Sequence, residues 1–448
     1  MPITRRALLQ SLAAPAILRS AASRPNILLL FADDLGYGDL SCYGCPDIRT
    51  PNLDKLAAEG VKFTRFYSNA PECTPSRTAL LTGRYQQRVG GLECAIGLGG
   101  VGRYDEAEWL AKRGDLGLPQ SESTISSELL KAGYDTCISG KWHLGYEDKF
   151  SPMRHGFQDA YYILGGAVDY VTHVETDGRR VFMENGKPVA PRGYLTDLLA
   201  DRAIGWMRER STRKPWFLYL PFTAPHNPFQ APGDGPVDAA NWNKGSRESY
   251  ARMVEHMDRR IGDLLGELAR RPDAANTIVV FLSDNGGPQR ARNAPFRGFK
   301  SSLFEGGIRV PGMMRWPAKF QSLVSAQAAA SADLTATLLS AAGVTPSRPG
   351  DGIDLTSHLV RRQGPVDRTL FWRYKRGKAR RRAVCEGSLK YIDDSGIMHL
   401  YDLSTDPAET NNLLSRRPEA IERLESMMAE WEKRVAAPRL AGFNTAAD

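Results

Sequence analysis

Short apolar runs, each closed by a turn and spaced by amphipathic stretches, recur along this chain from Arg24 onward. Asn26-Ile27-Leu28-Leu29-Leu30-Phe31 is apolar almost throughout, which marks a strand covered on both faces of a parallel sheet. Trp216-Phe217-Leu218-Tyr219-Leu220 and Thr277-Ile278-Val279-Val280-Phe281-Leu282 have the same character. Val61 to Tyr67 and Tyr134 to Ser139 read as further strands. Helical patterns lie between them. One has Thr50 as N-cap and Pro51 at its first position and runs through Glu59 to Gly60. Others span Ser123 to Ala132, Thr196 to Arg210 and Glu248 to Arg271. Alternating strands and helices predict an α/β fold, a large mostly parallel central sheet sandwiched by helices. Past about Pro349 the pattern changes. Leu370 to Tyr374, Ala383 to Cys385, Leu389 to Asp393 and His399 to Leu403 predict a small antiparallel sheet, and Glu419 to Val435 a closing helix.

Residues 1–22 look like a targeting segment. Thr4-Arg5-Arg6-Ala7-Leu8-Leu9-Gln10 precedes an apolar run to Leu18 and then Ser20-Ala21-Ala22. Twin arginine, a short apolar region and small residues before a cut describe a twin-arginine-type export signal, with Leu8 where Phe is frequent. The expected organisation is a signal over 1–22, an α/β domain over 23–349 and a C-terminal subdomain over 350–448. Export places the protein in the periplasm or outside the cell, with the twin-arginine machinery as partner. No later segment is long and apolar enough to span a bilayer. The formal charge of +8 includes Arg5, Arg6 and Arg19. The remaining excess suits an anionic substrate, and no groove-reading motif suggests nucleic acid. Of six cysteines, Cys42 and Cys45 form one C-x-x-C without a second pair or a spaced histidine pair, so a zinc site is weakly supported. One or two disulfides among Cys42, Cys45, Cys94, Cys137 and Cys385 are compatible with export, with no readable pairing.

Polar clusters follow four predicted strands: Asp33-Asp34, Lys141 with His143, His226, and Asp284-Asn285-Gly286-Gly287. The carboxyl ends of parallel strands meet at one sheet edge, where ligands bind. These groups therefore pool in one cleft. Singly each has an ordinary reading: paired aspartates as a turn or cap, Asp-Asn-Gly-Gly as a turn, Lys300 as a solvated lysine.

Cys73-Thr74-Pro75-Ser76-Arg77, running into Leu81-Thr82-Gly83-Arg84, changes those odds. It resembles the maturation signature of the type I sulfatases, C-x-P-S-R-x-x-x-L-T-G-R, within the alkaline-phosphatase-like superfamily. The likeness extends from Pro25 to about Leu414. It includes Glu305-Gly306-Gly307-Ile308-Arg309-Val310-Pro311 and Leu400-Tyr401-Asp402-Leu403-x-x-Asp406-Pro407-x-Glu409-x-Asn411-Asn412-Leu413. The resemblance is to exported arylsulfatase and N-acetylgalactosamine-sulfatase-like enzymes. It implies that a formylglycine-generating enzyme oxidises Cys73 to Cα-formylglycine, whose hydrated form attacks a sulfate ester. It implies one Ca²⁺ held by Asp33, Asp34, Asp284 and Asn285 with the matured Cys73, a hard-oxygen set. It further implies that Lys141, His226 and Lys300 hold the sulfate and that His226 or Lys300 protonates the leaving alcohol. Arg77 anchors the diol, Asp284 takes a proton from the attacking hydroxyl, and His143 takes one as sulfate is expelled.

Two other readings stand beside it. A phosphonate or phosphoester hydrolase of the same superfamily would usually show more Asp and His ligands. A non-catalytic sulfated-glycan-binding protein would bind ligand regardless of Cys73. The implied substrate is a sulfated carbohydrate. Loop residues Arg103, Asp169, Tyr170, His173 and Glu175 either read a sugar or are ordinary loop residues. Arg373, Lys375, Arg376, Lys378, Arg380, Arg381 and Arg382 either attract a polyanionic glycan or form an exposed hairpin.

Overall fold

A computed structural model of the chain describes residues 24–361 and 365–444. The signal expected over 1–22 lies outside the described residues. The strands, in chain order, are β1 (Asn26–Ala32), β2 (Val61–Phe63), β3 (Phe66–Tyr67), β4 (Asp135–Lys141), β5 (Asp159–Ile163), β6 (Phe182–Glu184), β7 (Lys187–Pro188) and β8 (Trp216–Pro221). They continue with β9 (Thr277–Ser283), β10 (Gly312–Arg315), β11 (Leu323–Ser325), β12 (Ala329–Ala330), β13 (Thr369–Arg376), β14 (Ala379–Glu386), β15 (Leu389–Asp394) and β16 (Ile397–Asp402).

Ten strands form one sheet in the order β11-β2-β10-β9-β1-β8-β4-β5-β6-β7. The five central strands, β9 to β5, run parallel. The run at Asn26–Phe31 is continuous because both its faces are covered. Ile27, Leu29 and Phe31 enter one core, with Leu80 and Leu81 of the helix Cys73–Thr82 and Leu334 and Leu338 of the helix Ser331–Ala341. Leu28 and Leu30 enter the other, against the helices Leu195–Arg208 and Arg247–Ala269. Each such buried leucine contributes about 1.5–3 kcal/mol.

The segment expected as one strand, Val61 to Tyr67, is two. The chain bends at Thr64–Arg65, so β2 stays in the large sheet and β3 pairs with β12. Thr50 precedes its helix but does not cap it, because its hydroxyl bonds Ser41 and Asp54 instead. The helix expected from Ser123 runs Ile125–Lys131, with Thr124 as the true cap. The C-terminal strands pair β13-β14-β15-β16, all antiparallel, and the helix Pro418–Arg434 covers them. Trp372, Tyr374 and Ile392 face the main core, while Phe371, Tyr391 and Leu400 face that helix. The small sheet is thus built onto the core of the large one. All six cysteines are free thiols. Among the described residues no helix is long and apolar enough to cross a membrane.

Candidate active site

The adjacent strands β9, β1, β8 and β4 deliver their polar ends to one edge of the sheet. β9 runs into Asp284 and Asn285, and β1 into Asp33 and Asp34. β4 ends at Lys141 with His143 just beyond, and His226 follows β8. Backbone hydrogen bonds stitch the ends together: Asp284 N donates to Ala32 O and Asp33 N to Ala224 O, both at 3.1 Å. Cys73 opens the helix Cys73–Thr82 at the same edge, placing an N-terminal dipole there. Lys300 arrives from a loop pinned by Lys300 N to Gly287 O and Ser301 N to Pro71 O. The candidate catalytic and metal-ligating residues therefore meet in one place.

Charges alternate across it. Lys141 Nζ lies 2.5 Å from Asp33 Oδ2, and Lys300 Nζ lies 2.8 Å from Asp34 Oδ2 and 3.7 Å from Cys73 Sγ. Cys73 Sγ is 3.4 Å from Asp33 Oδ1. Arg77, wholly buried, donates to Lys141 O and Asp284 Oδ2 and lies 3.6 Å from Asp33 Oδ2. Its partners are thus the carboxylates and the β4 backbone. Burial opposes ionisation of Asp33, but Lys141, His226, Arg77 and Lys300 hold it well below the usual carboxylate range. Burial, Asp33 and Cys73 push Asp284 well above it. Burial also works against the Lys300 ammonium, yet Asp34, Cys73, Asp33 and Asp284 keep its pKa above the usual lysine range. The Cys73 thiol is pushed up by burial and Asp33.

The two histidines differ in what they offer. His143 Nε2 sits 2.9 Å from Ile96 O, so it carries the proton and leaves Nδ1 as a bare acceptor, buried and without a partner. His226 Nδ1 faces Asn227 O at 2.7 Å, and its Nε2 lies 3.4 Å from Asp34 Oδ2. Burial holds both rings below the ordinary histidine pKa, reinforced by Lys141 at His143 and Lys300 at His226.

A cation fits here. Ligand atoms of Asp33, Asp34, Cys73 and His226 lie within 4.8 Å of one another. Asn285 Nδ2 donates to Asp34 Oδ1, while its buried Oδ1 has no partner. Three carboxylates face three cations, so an added divalent ion would leave the site positive and ready for an anion. His226, expected only at the sulfate, stands within this cluster. Asp284 is engaged by Asp34 N and Arg77. Behind the site, the Glu305–Ile308 turn packs so closely that a Cβ on Gly286 would sit 1.9 Å from Gly306 O.

Sequence reasoning missed the wall formed by the small sheet. Buried Glu72 accepts from Ser301 Oγ at 2.7 Å, Tyr374 OH at 2.8 Å and Ala95 N at 2.8 Å, and pairs with Arg376. The basic C-terminal cluster is largely neutralised. Arg373, Lys375, Arg376, Arg380, Arg381 and Arg382 pair with Glu93, Glu106, Glu72, Asp105, Asp394 and Asp393 respectively, so they fasten the sheet rather than present an open cationic face. Asp169, Tyr170, His173 and Glu175 are buried framework. They bond Thr172 N, Thr223 O, Gly193 O and Tyr146 OH respectively. Arg103 alone of the five loop candidates lines the cavity beside Cys73.

The profile of the family described as Sulfatase matches residues 25–344. The chain belongs to the sulfatase family. A second profile, N-sulphoglucosamine sulphohydrolase, C-terminal, matches residues 298–435. The sulfatase is 35% identical to human N-acetylgalactosamine-6-sulfatase over 373 residues, 79% of this chain and 69% of the relative. It is 32% identical to human arylsulfatase A over 489 residues, 94% and 90% of the two chains. The crystal structure of Ps i-CgsB superposes with a TM-score of 0.81 at 29% identity, covering 91% of this chain and 93% of that one. That protein has also been solved with k-i-k-neocarrahexaose. This sulfatase is an enzyme of sulfate-ester hydrolysis on the alkaline-phosphatase-like fold.

Proposed function

We propose that this sulfatase hydrolyses sulfate monoesters of carbohydrates using Cα-formylglycine made from Cys73 and one Ca²⁺. The observation that carries it is the placement of Cys73. Its thiol is buried, held protonated, and set between Asp33 and Lys300, conditions opposite to those of a thiolate nucleophile. The oxidised residue supplies a hydrated aldehyde whose hydroxyl attacks sulfur. Asp33, Asp34 and Asn285, with Asp284 and His226 beside them, would hold Ca²⁺, which supplies positive charge to sulfate oxygens. A sugar substrate accords with the relatives' N-acetylgalactosamine 6-sulfate and neocarrahexaose.

The chain's own groups account for the remaining steps. Lys141 and Lys300 present fixed ammonium groups to an anion in a buried site, where they need no reorganisation as charge grows on the bridging oxygen. As the ester S–O bond breaks, Lys300, kept charged by its neighbours, donates the proton the leaving alcohol requires. His226 has its Nδ1 proton on Asn227 O, which suits it to orient rather than to donate. Asp284, held by Asp34 N and Arg77, is the carboxylate that accepts the proton of the attacking hydroxyl. His143 Nδ1 is the base that takes a proton when sulfate departs. Arg77 fixes Asp33 and Asp284 for these tasks. Maturation by a formylglycine-generating enzyme and export through the twin-arginine machinery to the periplasm or beyond belong to the same proposal. The Cys73–Arg77 signature supports the first, and Arg5-Arg6 with the apolar run after it supports the second.

The test is sulfate release from sulfated mono-, oligo- and polysaccharides by protein co-expressed with a formylglycine-generating enzyme. The Cys73 peptide should carry the mass of an aldehyde, and Cys73→Ala should abolish turnover. Turnover that survives Cys73→Ala would refute the mechanism.

A further inference from the structure

The cavity beside Cys73 encloses about 390 Å³ and extends past the catalytic groups to Leu98, Thr176 and Trp242. Five basic side chains line it: Arg103, His143, His226, Lys300 and Arg376. Four already have protein partners, namely Ile96 O for His143, Asn227 O for His226, Asp34 for Lys300 and Glu72 for Arg376. Among the described residues the guanidinium of Arg103 has no hydrogen-bond, ion-pair or ring partner, although the residue is half-buried. The one carboxylate on the cavity wall, Glu72, is saturated by Ser301, Tyr374, Ala95 N and Arg376.

The surroundings hold Arg103 in place and leave it room. Its carbonyl accepts from Gly377 N at 2.6 Å, tying its backbone to the β13–β14 turn. A Cβ on Gly97 would lie 3.2 Å from Arg103 Nε and 3.1 Å from Val101 Cβ. Gly97 has φ −75°, which any residue adopts, so the glycine serves space rather than conformation. A partly desolvated guanidinium with no acid to meet it is complete only when a ligand supplies one. The reacting sulfate already has Lys141, Lys300 and the cation site.

We propose that Arg103 reads a second anionic group, a sulfate or carboxylate, on the sugar substrate. This inference rests on the sulfatase reading and narrows it to carbohydrates that carry at least two anionic groups near each other. Arg103 is then a specificity residue, recognising the oxyanion through its planar fork.

The test measures binding by calorimetry to the Ca²⁺-loaded Cys73→Ala protein, which cannot turn over. The probes are N-acetylgalactosamine 6-sulfate, N-acetylgalactosamine 4,6-disulfate, and a disaccharide of uronate linked to N-acetylgalactosamine 6-sulfate. At least one dianionic probe should bind about 10-fold or more tighter than the monosulfate, a charge-assisted contact and well above the twofold that two equivalent sulfates give statistically. Preference for the disulfate places the second anion on the same ring, and preference for the uronate places it on the neighbour. Adding Arg103→Gln should remove the preference, and Arg103→Lys, which keeps the charge without the fork, should retain part of it. Equal affinities, a preference that survives Arg103→Gln, or failure of all three probes to bind overturns the inference. Sulfate release by the matured enzyme, run in parallel, separates the two claims. Turnover without a dianion preference sinks only the role of Arg103, whereas preference without turnover sinks only the reaction.

Discussion

Lys390 on β15 is a buried ammonium shared by two buried carboxylates, and its removal should loosen the wall behind the active site. Its Nζ lies 2.8 Å from Glu305 Oε1 and 2.9 Å from Glu409 Oε1, with all three side chains unexposed. Glu305 also meets Tyr67 OH at 2.9 Å and Arg309 at 3.1 Å. Burial raises both carboxyls. At Glu305, Lys390 and Arg309 outweigh burial and hold the pKa below its usual value. At Glu409 burial dominates and the pKa is pushed up to about 7. The two titrate as a pair around one lysine.

Glu409 binds its proton more tightly folded than unfolded, so its contribution to stability is present at low pH and is lost as pH rises from 4.5 through about 7. That rise corresponds to about 3 kcal/mol at 1.36 kcal/mol per tenfold change. Lys390→Met deprives Glu409 of its cation and leaves Glu305 with Arg309 alone. Breaking a buried pair in this way costs about 3–5 kcal/mol at pH 8. At pH 5 the orphaned carboxyls take up protons, and the cost falls to about 1–2 kcal/mol, that of unmade hydrogen bonds. At roughly 2.1 cal/mol/K per residue, a chain of this length loses about 1 °C of Tm per kcal/mol. Differential scanning calorimetry of wild type and Lys390→Met at both pH values should therefore show a deficit of about 3–5 °C at pH 8 and about 1–2 °C at pH 5. Adding Glu409→Gln should recover part of the pH 8 loss. A deficit below about 1 kcal/mol at pH 8, or one equal at both pH values, would refute the shared-lysine argument.

Asn285→Ala removes the unpartnered buried oxygen at the cation site, and Ca²⁺ affinity by titration calorimetry should fall about 10–100-fold or more; unchanged affinity would exclude Asn285 as a ligand. Arg77→Met leaves Asp284 without its guanidinium and Asp33 with Lys141 alone, which should cost about 3–5 kcal/mol in urea unfolding. A loss within about 1 kcal/mol would show that Lys141 and Lys300 balance the cluster without Arg77.

Much of the site was legible because its parts obey local rules. The double-faced apolar runs at Asn26–Phe31 and Thr277–Leu282 announce parallel strands, and the residues just past such strands must gather at one edge. Asp33, Asp34, Asp284, Asn285, Lys141, His143 and His226 followed from that rule, and Cys73 and Arg77 from the resemblance of Cys73–Arg84 to the sulfatase signature. The bend at Thr64–Arg65 was not legible, because Val61 to Tyr67 is strand-like throughout. It is set by the partners waiting on either side, β10 and β11 for one half and β12 for the other.

Charge partnerships were the larger gap. The run Arg373 to Arg382 reads as one basic surface in sequence. Its acids come from Glu72, Glu93, Asp105, Glu106, Asp393 and Asp394, and four of these six lie more than 250 residues away. A sequence gives the sign and position of each charge, but an ion pair depends on distance, which only the packed chain fixes. The same holds for Arg103 and Lys390. Nothing local distinguishes an arginine left unpaired in a cavity from one on the surface, or a lysine buried between two glutamates from one in water. The sequence determined the chemistry available and the edge where it collects. The tertiary structure decided which charges are cancelled and which are left for a ligand, because burial and distance set the strength of each interaction.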